Sequence, residues 1–415
     1  MRTRNYKYYV CDFETTVYKG QQYTEVWAAA VVELNTEDVV ILHTIQDFLG
    51  YIFSLNVNIV GYFHNLKFDG NFIIDWLLRN DYKWNRVAEG KMKTNEFKCA
   101  ISDRGAWYTI TIKKGQTVIE FRDSLKLLPF SVKRIGKCFK TAHKKLDMEY
   151  EGFRYAGCEI TEKEKEYIAN DVLVVKEALE IMFERGHQKL TIGSCCLEEF
   201  KSTYDKTDFN NFFPNLTEIE IDPDLYGESN ADAYIRHSYR GGYCYLVKGK
   251  ENKIYYNGWT ADSNSSYPSN MSSESGNYYP VGKPMFWKGD IPKEADNKYY
   301  FVRIRCRFNI KEGMLPTVQI KGTLLYNGTD YLTTSDYYDY QSGTYKRYYM
   351  KQGVKHDSYV TMTMTCVDYE LFLKHYNLID LEVLDGCYFM KAIGLFDEYM
   401  YKYKEIKENS VDAER

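Results

Sequence analysis

The sequence predicts a mixed α/β domain over its first half and a β-rich second half. Three observations carry this. Apolar runs alternate with polar turns across residues 1–60. A long amphipathic helix opens at a capping box, Thr161-x-x-Glu164. From about Glu274 to Thr365 strand-like runs, tyrosines and polar turns dominate.

Tyr8 to Cys11 reads as a buried strand, followed by Asp12 and Glu14. On a strand, residues two apart share a face. Two carboxylates on one face of a core strand repel each other, a conflict that a shared divalent cation resolves. By themselves they are more often two solvated acids at a strand end. Val26 to Val32 is a second buried strand. Asn58 to Phe63 is a third, ending at His64-Asn65-Leu66-Lys67-Phe68-Asp69-Gly70. A helix is expected after it, with Phe72, Ile73, Trp76 and Leu77 on one side. Trp107–Ile112 and Thr117–Phe121 form two strands across a Lys-Lys-Gly-Gln turn. In the helix after Thr161, apolar residues recur through Ile168, Val172, Val175, Leu179 and Phe183 until Gly186 ends it. Tyr167 and Asp171, four apart, share one face.

Residues 191–245 read as helical and then loop-like, ending in Tyr239-Arg240-Gly241-Gly242-Tyr243. A strand is expected over Lys253–Thr260, running into Asp262-Ser263-Asn264-Ser265-Ser266-Tyr267-Pro268 and a short helix. Helices are expected over Val367–Tyr376 and Phe396–Glu408. No internal repeat is visible.

Apolar content of 44% and charged content of 27% describe a soluble globular protein in a chain of 415 residues, enough for two or three domains. No run approaches the ~18 apolar residues of a membrane span, and no apolar signal core follows Met1 to Asn5. A cytoplasmic protein with no membrane partner is expected. The ten cysteines form no C-x-x-C pair, so neither a zinc site nor a disulfide framework is indicated. The net charge of −4 does not advertise a nucleic-acid binder. Yet Lys126 to Lys145 holds seven basic residues and no acid, which suits a phosphate backbone or a solvated helix face. Forty tyrosines could stack on bases, though packing explains most of them.

Asp12, Glu14, Asp69 and Asp171 form a set suited to phosphodiester hydrolysis. Two metals about 3.5–4 Å apart hold the attacking water and the leaving oxygen, and four anionic ligands balance their charge. Tyr167, one turn from Asp171, can orient the water through its hydroxyl.

Cys11-Asp12-Phe13-Glu14-Thr15-Thr16, Tyr62-Phe63-His64-Asn65-Leu66-Lys67-Phe68-Asp69-Gly70 and Tyr167-x-x-x-Asp171 resemble the three exonuclease motifs of the family B DNA polymerases. The likeness is greatest to the protein-primed branch from small tailed bacteriophages. It continues, in family order, through Asp123-Ser124-Leu125-Lys126-x-Leu128-Pro129-Phe130, Lys145-x-x-Met148, Tyr239-Arg240-Gly241-Gly242, the Asp262 motif and Lys311-Glu312-Gly313-x-x-Pro316-Thr317-Val318-Gln319-Ile320-Lys321.

The resemblance implies an α/β (α+β) architecture. A ribonuclease-H-like 3′→5′ exonuclease domain at 1–190 precedes the first part of a polymerase palm at 191–273. A β-rich insertion at 274–365 resembles the first terminal-protein region, and the palm continues at 366–415. It implies that Asp12, Glu14, Asp69 and Asp171 bind two Mg²⁺ or Mn²⁺ ions of a proofreading site, assisted by Tyr167 and Lys145. Thr15, His64, Asn65, Phe68, Ser124 and Leu125 would hold the single-stranded 3′ end. Tyr239, Arg240, Gly241 and Gly242 would contact DNA, Arg240 through a phosphate. Asp262 would be a metal-binding polymerase carboxylate, and Ser263, Ser265, Ser266 and Tyr267 would face the deoxynucleoside triphosphate. At Ser263 and Ser266 the family usually has an apolar residue. The implied partners are DNA, deoxynucleoside triphosphates and a terminal protein primer, in viral DNA replication within the host cytoplasm.

Two family motifs do not appear after the Asp262 motif: Lys-x-x-x-Asn-Ser-x-Tyr-Gly and Tyr-x-Asp-Thr-Asp, the latter supplying a second polymerase carboxylate. Three readings follow. The chain is the N-terminal part of a polymerase, truncated or paired with a separate C-terminal chain. It is a stand-alone single-stranded DNA exonuclease. Or it is a noncatalytic subunit that binds DNA or terminal protein. On the first reading, no primer extension is expected from these residues alone.

Overall fold

Tyr6–Thr15 forms strand β1, whose side chains alternate between two cores. Tyr9, Cys11 and Phe13 enter one core, while Tyr8 and Val10 face the other. The period of two then places Asp12 and Glu14 on the second face. This computed structural model describes residues 5–16, 18–86, 91–148, 153–240, 242–247, 249–250, 252–320 and 330–410. The chain forms two units, 1–199 with 405–415, and 200–404.

Unit one is built on an eight-stranded sheet. The other strands are β2 (Val26–Glu33), β3 (Val39–Leu42), β4 (Asn58–Phe63), β5 (Lys83–Trp84), β6 (Glu96–Ile101), β7 (Trp107–Lys114) and β8 (Thr117–Asp123). Their order is β3-β2-β1-β4-β8-β7-β6-β5. β1 runs antiparallel to β2 but parallel to β4, and β4 runs parallel to β8. Because these strands are buried on both faces, they read as continuous apolar runs. Gly61 in β4 is required by close packing, since a Cβ there would lie 2.9 Å from the Phe121 ring.

Helices α1 (Ile45–Ser54) and α2 (Leu66–Arg79) cover one face of the sheet. Helices α3 (Val132–Cys138) and α4 (Glu162–Glu184) cover the other. The Thr161–Glu164 capping box is formed, with Glu164 Oε2 accepting the Thr161 N–H at 2.9 Å. The helix expected beyond Gly70 begins earlier, at Leu66, so Asp69 lies in its first turn and not ahead of it. The reason is local: the Asp123 carboxylate accepts the Asn65 and Leu66 N–H groups at 3.0 and 3.3 Å, satisfying the helix start from outside. Of the basic run, 132–138 is α-helix and Lys126 closes the short 3-10 turn Ser124–Lys126.

Helix α5 (Ile192–Ser202) spans the break between units, and α6 (Lys206–Phe212), α7 (Pro223–Tyr226), α8 (Ala231–Arg236) and α9 (Ser266–Met271) follow. Unit two centres on an antiparallel sheet in the order β17-β10-β18-β9. Its strands are β9 (Tyr279–Lys288), β10 (Tyr299–Ile310), β17 (Val360–Thr365) and β18 (Tyr376–Ala392). Between β10 and β17 lie three two-stranded ribbons. They pair β11 (Val318–Ile320) with β12 (Asp330–Leu332), β13 (Tyr337–Asp339) with β14 (Thr344–Lys346), and β15 (Tyr348–Lys351) with β16 (Val354–Asp357). Helix α10 (Cys366–His375) shares a core with β10 and β17, while α8 packs with Phe301, Cys387 and Phe389 in another. The final helix, α11, is Asp397–Asn409. One sheet thus draws β9, β10 and β17 from the expected 274–365 module and β18 from 366–415.

One rung of this sheet is charged. Thr363, Arg303, Asp385 and Lys288 are neighbours across β17, β10, β18 and β9. Asp385 is fully buried and binds Arg303 Nε at 2.9 Å, Lys288 Nζ at 3.2 Å and the Tyr234 hydroxyl at 2.8 Å. The complete set of donors compensates the buried charge.

The strand expected at Lys253–Thr260 is not formed. A strand needs ladder partners for its N–H and C=O groups, and no described strand pairs with it. Trp259 is 99% exposed. Among the described residues no helix is long and apolar enough to cross a membrane.

Candidate active site

β1, β4 and β8 run parallel, so their C-terminal ends emerge at one edge of the sheet. That edge is where ligands meet open α/β sheets. β1 ends past Asp12 and Glu14, β4 ends just before His64 and Asn65, and β8 ends at Asp123, before Ser124 and Leu125. α2 brings Asp69 to this edge and α4 brings Tyr167 and Asp171.

Carboxylate oxygens of Asp12, Glu14 and Asp171 lie within 4.8 Å of one another. Asp69 is outside that group but acts on it. Burial first, then the charges of Asp69, Glu14 and Asp171, push the Asp12 carboxyl well above its ordinary value. Burial, with Glu14 and Asp123, pushes Asp69 up to about 7. Asp171 is also raised by burial, against the pull of Lys145. Asp171 Oδ1 is buried with no hydrogen-bond partner among the described residues. Crowded hard oxygens that resist ionisation together, with one unpaired, fit a divalent cation.

Lys145 Nζ donates to Asp171 Oδ2 and, at 3.1 Å, to the Tyr167 hydroxyl. Burial opposes the lysine's charge, but the Asp171 carboxylate holds its pKa above the ordinary lysine value. Lys145, Leu146, Asp147, Met148 and Tyr167 line a cleft of about 300 Å³.

The residues expected to hold a 3′ end occupy the same edge. Phe68 is 48% exposed and meets Phe72 edge-on at 5.7 Å. His64 lies 3.0 Å from Ser124 Oγ through Nδ1 and 2.8 Å from Phe130 O through Nε2. Asn65 is exposed, with φ +77, a left-handed conformation that asparagine tolerates. Thr15 and Leu125 are half-buried, and Ser124 is fully buried. Sequence reasoning gave no role to Asp123. Its Oδ1 also accepts the Leu125 N–H at 3.1 Å, so one buried carboxylate ties the start of α2 to the Ser124–Leu125 turn. The signal was its position as a cap before a short helical turn.

The second expected site is less closed. Asp262, Ser263, Ser265, Ser266 and Tyr267 are all exposed, Tyr267 at 82%. Asp262 joins no cluster of three metal-ligating side chains among the described residues. Tyr239 and Gly242 are exposed, whereas Gly241 lies outside the described residues. Arg240 is turned inward: its guanidinium donates to His237 O and, at 2.8 Å, to Thr363 O of β17.

A family model described as DNA polymerase type B, organellar and viral, matches residues 53–159 and 154–415. The DNA polymerase of Bacillus phage Nf is 35% identical over 417 residues, covering 99% of this chain and 65% of that protein. The DNA polymerase of Streptococcus phage Cp-1 is 30% identical over 426 residues, covering 97% and 66%. Phi29 DNA polymerase in complex with primer-template DNA and incoming nucleotides superposes with a TM-score of 0.79 at 34% identity, over 99% of this chain and 66% of that one. The same polymerase with single-stranded DNA gives 0.74 at 32% identity, over 99% and 65%. The chain spans about 65% of the length of the first of these relatives. Matched from residue 53 to residue 415, this chain belongs to the type B DNA polymerases of organelles and viruses.

Proposed function

We propose that unit one is a 3′→5′ exonuclease on single-stranded DNA and that the chain serves a protein-primed phage DNA polymerase. The observation that carries the nuclease reading is the meeting of Asp12, Glu14 and Asp171 within 4.8 Å, beside Asp69. Mg²⁺ or Mn²⁺ bound there would supply positive charge against the attacking water and the leaving 3′ oxygen. Asp12, Glu14, Asp69 and Asp171 would hold it. The Tyr167 hydroxyl, steadied by the Lys145 ammonium, orients the water. The exposed Phe68 ring stacks on a base. Thr15, Asn65, Ser124 and Leu125 hold the sugar and phosphates, and His64 braces Ser124.

Asp262 would serve as a polymerase carboxylate, with Ser263 to Tyr267 toward the triphosphate. Similarity across residues 200–404 to a polymerase solved with primer-template and nucleotides supports this. DNA, deoxynucleoside triphosphates and a terminal protein are the proposed partners, and the host cytoplasm the place of action. The exposed Lys253–Thr260 segment suits pairing with further polymerase chain.

The test is degradation of a 5′-labelled single strand by the purified chain with Mg²⁺ or Mn²⁺. Progressive shortening from the 3′ end is expected, lost in Asp12→Ala and Asp171→Ala. Equal activity of these variants and the parent would overturn the reading.

A further inference from the structure

We infer that Glu177, outside the carboxylate set, is a positioning residue for Lys145. This rests on the nuclease reading above. Glu177 lies on α4 six residues beyond Asp171. The segment after α3 crosses α4 at two places. At one, Lys145 Nζ meets Asp171 and Tyr167. At the other, Glu177 takes hold of the backbone just ahead of that lysine. Its Oε2 accepts the Ala142 N–H at 2.5 Å, and its Oε1 accepts the His143 N–H at 3.4 Å and contacts His143 Nδ1.

The rest of the segment is tied as well. Thr141 is buried and its hydroxyl donates to His143 O at 2.7 Å. Lys144 Nζ donates to Gly136 O at 3.1 Å and to Thr141 O. Lys144 is thus spent on its own loop, while Lys145 reaches the site. A lysine side chain is long and loses much rotamer freedom when its head is fixed. Anchoring the Ala142 and His143 amides to α4 sets where the chain enters Lys145. The same helix then carries the anchor and both groups that the ammonium must meet, so their spacing is set by α4 alone. Glu177 works through the backbone and touches no reacting atom.

The experiment compares the 415-residue chain with Glu177→Ala, Glu177→Gln, Lys145→Ala and the Glu177→Ala/Lys145→Ala double variant. The readouts are the single-turnover rate on a 5′-labelled oligothymidylate, its Kd, and amide hydrogen exchange of Ala142 and His143 in metal-free protein. Alanine keeps the best helix former in α4. Glu177→Ala is expected to slow the rate about 10-fold to 100-fold, the scale of a ~1 Å misplacement, with Kd unchanged. Glu177→Gln, which keeps an acceptor for the Ala142 N–H, recovers most of the rate. The double variant is no slower than Lys145→Ala. Ala142 and His143 amides lose protection in Glu177→Ala. A loss of equal factor in the Lys145→Ala background, a loss confined to Kd, or unchanged amide protection would each overturn the inference. A Lys145→Ala rate equal to the parent's would refute the role given to Lys145 itself, and this inference with it.

Discussion

His64 Nδ1 and Ser124 Oγ stand 3.0 Å apart across 60 residues of sequence. The other ring nitrogen faces the Phe130 carbonyl, which can only accept, so Nε2 carries the proton. Burial lowers the pKa of His64 and favours the neutral ring. On the neutral ring Nδ1 is an acceptor, and the single Ser124 hydroxyl proton faces both it and the Phe63 carbonyl at 3.1 Å, so the ring and hydroxyl join the end of β4 to the end of β8. Ser124→Ala removes the donor that faces Nδ1 and the Phe63 carbonyl, at a cost of about 1 kcal/mol, read as a lowered urea midpoint. Because the folded pKa is depressed, His64 contributes stability that is full above its ordinary value of 6.5 and is lost as pH falls through the folded value. His64→Gln should flatten the stability curve in that window.

Asp69 has the opposite sign. Its carboxyl is pushed up to about 7, so without metal the fold is favoured at low pH and weakened as pH rises through that value. At pH 8 a divalent cation at ~100 Kd should stabilise unit one by about 2.7 kcal/mol, a Tm rise of roughly 5–10 °C. Calorimetry with and without chelator checks this. Asp12→Asn should lose most of the rise, yet melt above the parent when both are metal-free.

Asp385→Ala strands Arg303, Lys288 and the Tyr234 hydroxyl around a hole in the four-stranded sheet. Losing one partner of a buried charge set costs about 3–5 kcal/mol. Urea unfolding followed by near-ultraviolet circular dichroism should show the second unit melting first.

Arg240→Ala should weaken DNA binding by freeing the Tyr239–Gly242 loop from β17, since the guanidinium already serves two protein carbonyls. The slope of log affinity against log salt should then change by less than the ~0.9 that one lost phosphate contact gives on duplex DNA. A full change of that size would place Arg240 on a phosphate instead.

The first unit was legible because its strands are buried on both faces and its long helix carries a capping box. The i, i+2 rule put Asp12 and Glu14 together, and the i, i+4 rule did so for Tyr167 and Asp171. Asp123 and Glu177 escaped notice because they act by accepting backbone N–H groups, which leaves no periodic trace. Lys253–Thr260 looked like a strand since its residues favour one, but propensity cannot supply a ladder partner. The inward turn of Arg240 was equally hidden, because its acceptor Thr363 O lies 123 residues away.

The parallel ordering of β1, β4 and β8 has a consequence in time. Each pairing closes a loop of dozens of residues, and that entropy is lost before any contact repays it. Helix α4 adds its carboxylate only after all three strands are laid down. A growing chain therefore carries Asp12, Glu14 and Asp69 without Asp171 until α4 has left the ribosome. On the nuclease reading proposed above, activity would arrive only once α4 has joined the sheet.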